Sequence, residues 1–128
     1  MNYSKYRFTL DIHKTKSQVD IPVLLGDTYI KFYISLNDGG TPYKIAEGCT
    51  AKLACIQPSG NSFLHDCDIE DNRIVYTFNR STANEIGVAK CNVRLYHASG
   101  GILTTPKFYI NVEDKVVSDE EIEAYRED

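Results

Sequence analysis

Residues 88–112 read VAKCNVRLYHASGGILTTPKFYINV. In the first half Ala89, Cys91, Val93 and Leu95 fall on one side and Lys90, Asn92, Arg94 and Tyr96 on the other, the period-two pattern of a half-buried strand. In the second half Phe108, Ile110 and Val112 oppose Lys107, Tyr109 and Asn111. Between them Ser99, Gly100 and Gly101 supply a tight reversal, because glycine enters positive φ without a steric penalty. The stretch is therefore predicted to fold back on itself as a hairpin. A lone hairpin is marginal in water, so the other apolar runs must cover its inner face.

Those runs repeat the same alternation. Tyr6, Phe8, Leu10 and Ile12 share a side, as do Val19, Ile21 and Val23, where Pro22 argues for a sheet edge. Residues 28–36 form the most apolar run, with Ile30, Phe32, Ile34 and Leu36 inward and Tyr29 and Tyr33 among those on the opposite side. After the turn Asn37-Asp38-Gly39-Gly40, three further runs follow: Cys49, Ala51, Leu53 and Cys55; Phe63, His65, Cys67 and Ile69; and Ile74, Tyr76 and Phe78. Turn residues separate each from the next.

Two segments break the alternation. Residues 81–86 carry a Ser or Thr cap, Ala83 and Glu85, and end at Gly87, which predicts a short crossover helical turn. Ser118 followed by Glu121 is a capping-box pattern, which predicts a C-terminal helix over residues 119–126 with Ile122 and Tyr125 on one side. Seven or so short strands with turns between them predict an all-β fold, a two-layer antiparallel immunoglobulin-like β-sandwich over residues 1–117. Residues 118–128 are expected to form the helix and to begin a helical linker. The Cys, Trp and Cys arrangement of antibody domains is absent, since the chain has no Trp.

The 128 residues suffice for one domain with a self-supporting core. Fourteen basic against eighteen acidic residues give a net charge of −4 with no Lys/Arg run, so no nucleic-acid partner is expected. No apolar run approaches a membrane span and residues 1–13 lack a signal-peptide core, so the chain is expected to be soluble, without a membrane partner, and made in a cytoplasm. Cys49, Cys55, Cys67 and Cys91 have no zinc-ligand spacing and read as buried thiols, with a disulfide as the competing reading.

Catalytic chemistry finds no foothold. His13, His65 and His97 are isolated from one another in sequence, and no nucleophile elbow, phosphate loop or dinucleotide fingerprint occurs. Asp11 and His13 share a strand side, as do Asp66 and Asp68, at roughly 6 to 7 Å, which suits a solvated face better than a carboxylate pair. No catalytic residue, cofactor or metal site is predicted. The surface tyrosines are the stronger signal, because Tyr is enriched where proteins meet partners. Tyr29, Tyr33 and Tyr109, with Ile122 and Tyr125 of the helix, are the candidate partner-interface residues.

The order of turns has a further meaning. Asn37-Asp38-Gly39-Gly40 with Pro42-Tyr43 leads to Gly48-Cys49-Thr50-Ala51-Lys52-Leu53 and Gln57-Pro58-Ser59-Gly60. Then come Asp66-Cys67-Asp68-Ile69, Arg73-Ile74-Val75-Tyr76-Thr77-Phe78, Gly87, and Gly100-Gly101-Ile102-Leu103-Thr104-Thr105-Pro106-Lys107-Phe108. Over residues 5–113 this succession resembles the N-terminal domain of the phage baseplate upper protein family. The resemblance implies a non-enzymatic structural protein of a phage or prophage tail baseplate. Its β-domain would dock on other tail or baseplate proteins, and a helical extension starting near Ser118 would carry the receptor-binding parts. It implies a location in the virion after assembly in the host cytoplasm, with homo-oligomers in the assembled particle. The competing reading is a carbohydrate- or ligand-binding sandwich whose exposed tyrosines stack on sugar rings. That class usually requires export, for which the sequence carries no signal. A small enzyme is a weaker third reading, against which the missing constellation counts.

Overall fold

The structure, a computed structural model, describes residues 2–114. Ten strands follow in order: β1 (Ser4–Asp11), β2 (Lys16–Leu24), β3 (Ile30–Asp38), β4 (Thr41–Pro42), β5 (Thr50–Ile56), β6 (Ser62–Glu70), β7 (Arg73–Thr77), β8 (Gly87–Tyr96), β9 (Ile102–Thr104) and β10 (Lys107–Glu113). Among the described residues there is no helix. Inside–outside parity follows the alternation of the sequence. Leu10, Ile21, Phe32, Ile34, Leu53, Val93, Leu95, Phe108 and Ile110 are all buried, because successive Cβ atoms point to opposite faces of a strand.

All-β is correct, but the strands make one continuous sheet in the order β1-β3-β7-β6-β5-β8-β10-β2, wrapped into a nearly closed barrel. The two halves are joined by β6. Its first part pairs with β5 as far as Ala51↔Cys67, and from Asp68↔Val75 onward it pairs with β7. One strand thus serves both layers where two separate sheets are expected. The aromatic core ties the halves together: Phe32 packs on Phe8 and Phe78 at ring separations of 5.4 and 5.0 Å, and Phe8 meets Phe108 at 5.1 Å.

The expected all-antiparallel pairing also needs correction. β1 pairs with β3 in parallel, from Ser4↔Ile30 to Asp11↔Asn37, and β10 pairs with β2 in parallel. Parallel neighbours need a long connection, and β2 itself is that connection between β1 and β3, crossing to the far half of the barrel and back. Pro22 does lie in a terminal strand of the sheet, as its missing N–H requires.

The hairpin at residues 88–112 forms, but in two pieces. β9 continues the tight turn, with Leu103 opposite Leu95, and β10 resumes with Phe108 opposite Cys91. Between these pairs the four residues 104–107 face the three residues 92–94, a bulge at Thr105 and Pro106. Proline has no N–H to give, and the buried Thr105 fills the break: its N–H donates to the Val93 carbonyl, and its Oγ1 accepts the Val93 N–H at 2.9 Å.

The crossover helical turn predicted over residues 81–86 is a non-helical turn. The Ser81 carbonyl accepts the Gln57 side-chain amide and the Ala83 carbonyl accepts the Gly26 N–H, so the acceptors a helix would use are committed to neighbouring loops. Asn79 sets the turn, its Oδ1 accepting the Ser81 N–H. The helix predicted over residues 119–126, with Ile122 and Tyr125, lies outside the described residues.

Candidate docking face

The outer side of β1, β3 and β7 is the most distinctive surface of the barrel. Strand parity places Lys5, Arg7 and Thr9 of β1 outward. The parallel register sets Lys5 beside Lys31 and Arg7 beside Tyr33. From the other side β7 pairs Val75 with Tyr33. Three cations converge on one ring: the Arg73 guanidinium carbon lies 4.8 Å from the Tyr33 centroid, that of Arg7 5.6 Å and the Lys5 Nζ 5.9 Å. A second cluster sits at the end of the same face. The Lys31 Nζ lies 4.7 Å from the Tyr3 ring, and Tyr3 meets Tyr29 edge-on at 6.0 Å.

Attraction between a cation and the π face of an aromatic ring holds these groups without neutralising them. Among the described residues, Lys5, Arg7, Lys31 and Arg73 make no ion pair with a carboxylate; the ion pairs are His13–Asp38 and Lys52–Asp66. Four positive charges therefore collect on one face of a chain whose net charge is −4. No Lys/Arg run announces this patch, because its members come from three strands. Val75 is buried beneath it although it points to the outer side. The flanking β6 carries exposed Asp66, Asp68 and Glu70, so the surface passes from positive over β1 and β3 to negative over β6.

The tyrosines singled out from sequence divide. Tyr33 is half-buried under its cations, and Tyr29 stands at the end of the same face, just before β3, with 54% of its surface exposed. Tyr109 is on the opposite wall of the barrel, between Lys90 of β8 and Asp20 of β2, and does not join them. The residues missed were Lys5, Arg7, Lys31 and Arg73. The i, i+2 spacing of Lys5 with Arg7 and of Lys31 with Tyr33 was visible, but not that these pairs are neighbours.

The groups considered for chemistry are structural. The Asp11 carboxylate accepts the N–H groups of His13, Gly39 and Gly40, which hold its pKa below the usual carboxylate range and tie the β1–β2 turn to the β3–β4 turn. His65 Nδ1 lies 2.8 Å from the Tyr76 hydroxyl, itself 2.7 Å from the Thr82 hydroxyl, and Phe63 stacks on the His65 ring. His97 Nδ1 stands 3.5 Å from the Cys49 Sγ. All four cysteines are free thiols. Burial pushes the Cys67 thiol up to about 12, and the neighbouring Cys55 sulfur together with burial raises that of Cys91, so both remain neutral hydrophobes. Among the described residues no three His, Cys, Asp or Glu side chains are placed to hold a metal ion.

Comparison with known proteins gives this geometry a context. No curated protein matches the sequence. Among solved structures, the barrel is similar to the N-terminal domain of phage TP901-1 ORF48, with a TM-score of 0.65 at 13% identity, over 85% of this chain and 98% of that one. At that identity the likeness is one of fold. The family described as the BppU N-terminal domain matches residues 4–128, nearly the whole sequence. The chain therefore belongs to the BppU N-terminal domain family, and its role is that of a structural protein of the phage baseplate.

Proposed function

We propose that this barrel is a non-enzymatic docking domain that attaches receptor-binding parts to the phage tail, and that the outer face of β1, β3 and β7 is the surface by which it docks. The observation that carries this is the set of four cations held around Tyr33 and Tyr3 without a carboxylate partner. Such a face is already ordered. Its guanidinium and aromatic groups lose little conformational freedom on binding, and Arg and Tyr are the residue types that dominate interface energetics. An acidic surface on another tail protein is the complement it fits, with charge steering the encounter and Tyr29 supplying apolar contact.

On this reading Tyr29 and Tyr33 belong to the docking surface, while Tyr109 serves a separate one. Residues 118–128, with Ile122 and Tyr125, start the helical linker to the distal parts. Several copies assemble around the tail after synthesis in the host cytoplasm. The test is to co-express the tagged chain with the tail genes flanking its reading frame and isolate the complex. A stoichiometric complex with a tail protein that is lost in the Arg7→Glu/Arg73→Glu variant supports the reading. A complex indifferent to that variant removes the face from the interface. Binding on a glycan array with no tail complex favours a carbohydrate-binding module.

A further inference from the structure

Cys55 of β5 and Cys91 of β8 stand directly opposite each other in the antiparallel register, both turned into the core and both 2% exposed. The hydrogen bonds around them decide how closely they face. On β8 the Val93 carbonyl accepts the Thr105 N–H and the Val93 N–H donates to Thr105 Oγ1, so the odd-numbered residues of this strand turn their backbone groups toward β9 and β10. On β5 the Gln57 N–H donates to the Asn61 carbonyl, and the same parity turns the backbone of Cys55 toward β6. Cys55 and Cys91 are therefore a non-hydrogen-bonded pair, the narrow position of an antiparallel ladder. There the Cα atoms stand about 4.5 Å apart and the side chains approach more closely than at the alternate positions. That separation falls within the range of about 4.4–6.8 Å over which a disulfide closes. The sulfurs are immediate neighbours, since the Cys55 side chain is the strongest influence on the Cys91 thiol, ahead of burial. Cys67 lies opposite Ala51 instead, and Cys49 precedes β5 beside His97.

We propose that this pair is a site of oxidative modification, at which hydrogen peroxide joins Cys55 to Cys91 as a disulfide. The oxidant is small and uncharged, so it enters a core that excludes larger reagents. One sulfur, having released its proton, attacks a peroxide oxygen; the O–O bond breaks, leaving a sulfenic acid and a hydroxide that takes up the released proton as water. The second sulfur then attacks the sulfenic sulfur. The S–O bond breaks as the S–S bond forms, and the departing hydroxide leaves with the second thiol proton as another water. Two thiols have lost two electrons to one peroxide. Burial keeps both protons in place, so the first step waits on local opening of the strands and is slow. A baseplate protein meets an oxidising medium once the particle has left its host, where disulfides persist. The link closes a loop that contains β6 and β7, and so constrains the strand shared by the two halves of the barrel. This chemistry does not depend on the docking face.

The experiment treats the full native chain with hydrogen peroxide, then unfolds it in excess iodoacetamide and maps every cysteine by mass spectrometry without reduction. A Cys55–Cys91 linked peptide pair within one chain is expected, with alkylation lost at both residues together. The thermal midpoint should rise by roughly 5–15 °C and return to its starting value in dithiothreitol. Cys67→Ala, which keeps both partners, should link and gain as the parent does. Cys91→Ala should show neither effect, and Cys91→Val, which fills the site, does the same work if the alanine variant does not fold. Overturning results are both thiols still free after treatment, sulfinic or sulfonic acid in place of the link, or a link made to Cys49, to Cys67 or between chains. A midpoint unchanged or lowered by the link, or a gain that survives in the Cys91 variants, would overturn it equally.

Discussion

Arg73 holds its guanidinium carbon 4.8 Å from the centre of the Tyr33 ring, although the two residues are forty positions apart and belong to different strands. Tyr33 is the cross-strand neighbour of Val75, which is 3% exposed on the outer side of the sheet. Removing the ring should therefore matter for stability as well as docking. Tyr33→Ser is expected to cost about 0.5–2 kcal/mol, from the lost cation–π contacts. Tyr33→Phe, which keeps the ring, should be nearly neutral. Urea unfolding of both variants checks this; equal losses would show that the hydroxyl and not the ring is responsible.

At the centre of the core, Phe32 touches Phe8, Phe78 and Phe108 and is fully buried. Phe32→Ala leaves a cavity between the two halves of the barrel, and about 3–5 kcal/mol of stability should go with it. Chemical denaturation measures the loss. A shift under 1 kcal/mol, well below the range for large-to-small core substitutions, would mean that the two halves close over the gap.

Thr105 makes a prediction that separates shape from hydrogen bonding. Thr105→Val keeps the volume but leaves the buried Val93 N–H without its acceptor, at a cost of about 1–3 kcal/mol. Thr105→Ser retains the hydroxyl and should recover much of that loss. Faster hydrogen exchange at the Val93 amide in the valine variant alone would locate the effect at the bulge.

His65 predicts a pH dependence. Burial of the ring lowers its pKa below the ordinary imidazole value, against a smaller opposing pull from Asp66. The unfolded chain therefore takes up a proton on this residue before the folded barrel does. Stability from this group is complete at neutral pH and declines as pH falls through the unfolded value of about 6.5. Thermal midpoints from pH 8 to pH 5 should fall less steeply for His65→Gln than for the parent chain. Parallel curves would assign the acid sensitivity to other groups.

Much of this was legible in the residues themselves. The alternation of Ala89, Cys91, Val93 and Leu95, or of Ile30, Phe32, Ile34 and Leu36, determines which side of each strand is buried, because the period of two belongs to the backbone and not to the neighbours. Pro22 marked a sheet end for a similarly local reason. The succession of turns carried the family. Residues 81–86 resisted the same reading, because their helix-forming preference is outweighed by Gln57 and Gly26, which capture the carbonyls from elsewhere in the chain.

Which strands became neighbours was decided only by the tertiary structure. Parity put Lys5, Arg7, Lys31, Tyr33 and Arg73 on outer sides, yet nothing local says that β1 lies parallel to β3 or that β7 closes on its other edge. That pairing follows from burying the phenylalanine cluster between the two halves, with β6 shared by both. It turns three unremarkable strand faces into one cationic, tyrosine-centred surface. Burial is a property each residue declares through its own chemistry and spacing, whereas adjacency is settled by how the whole sheet wraps around its core.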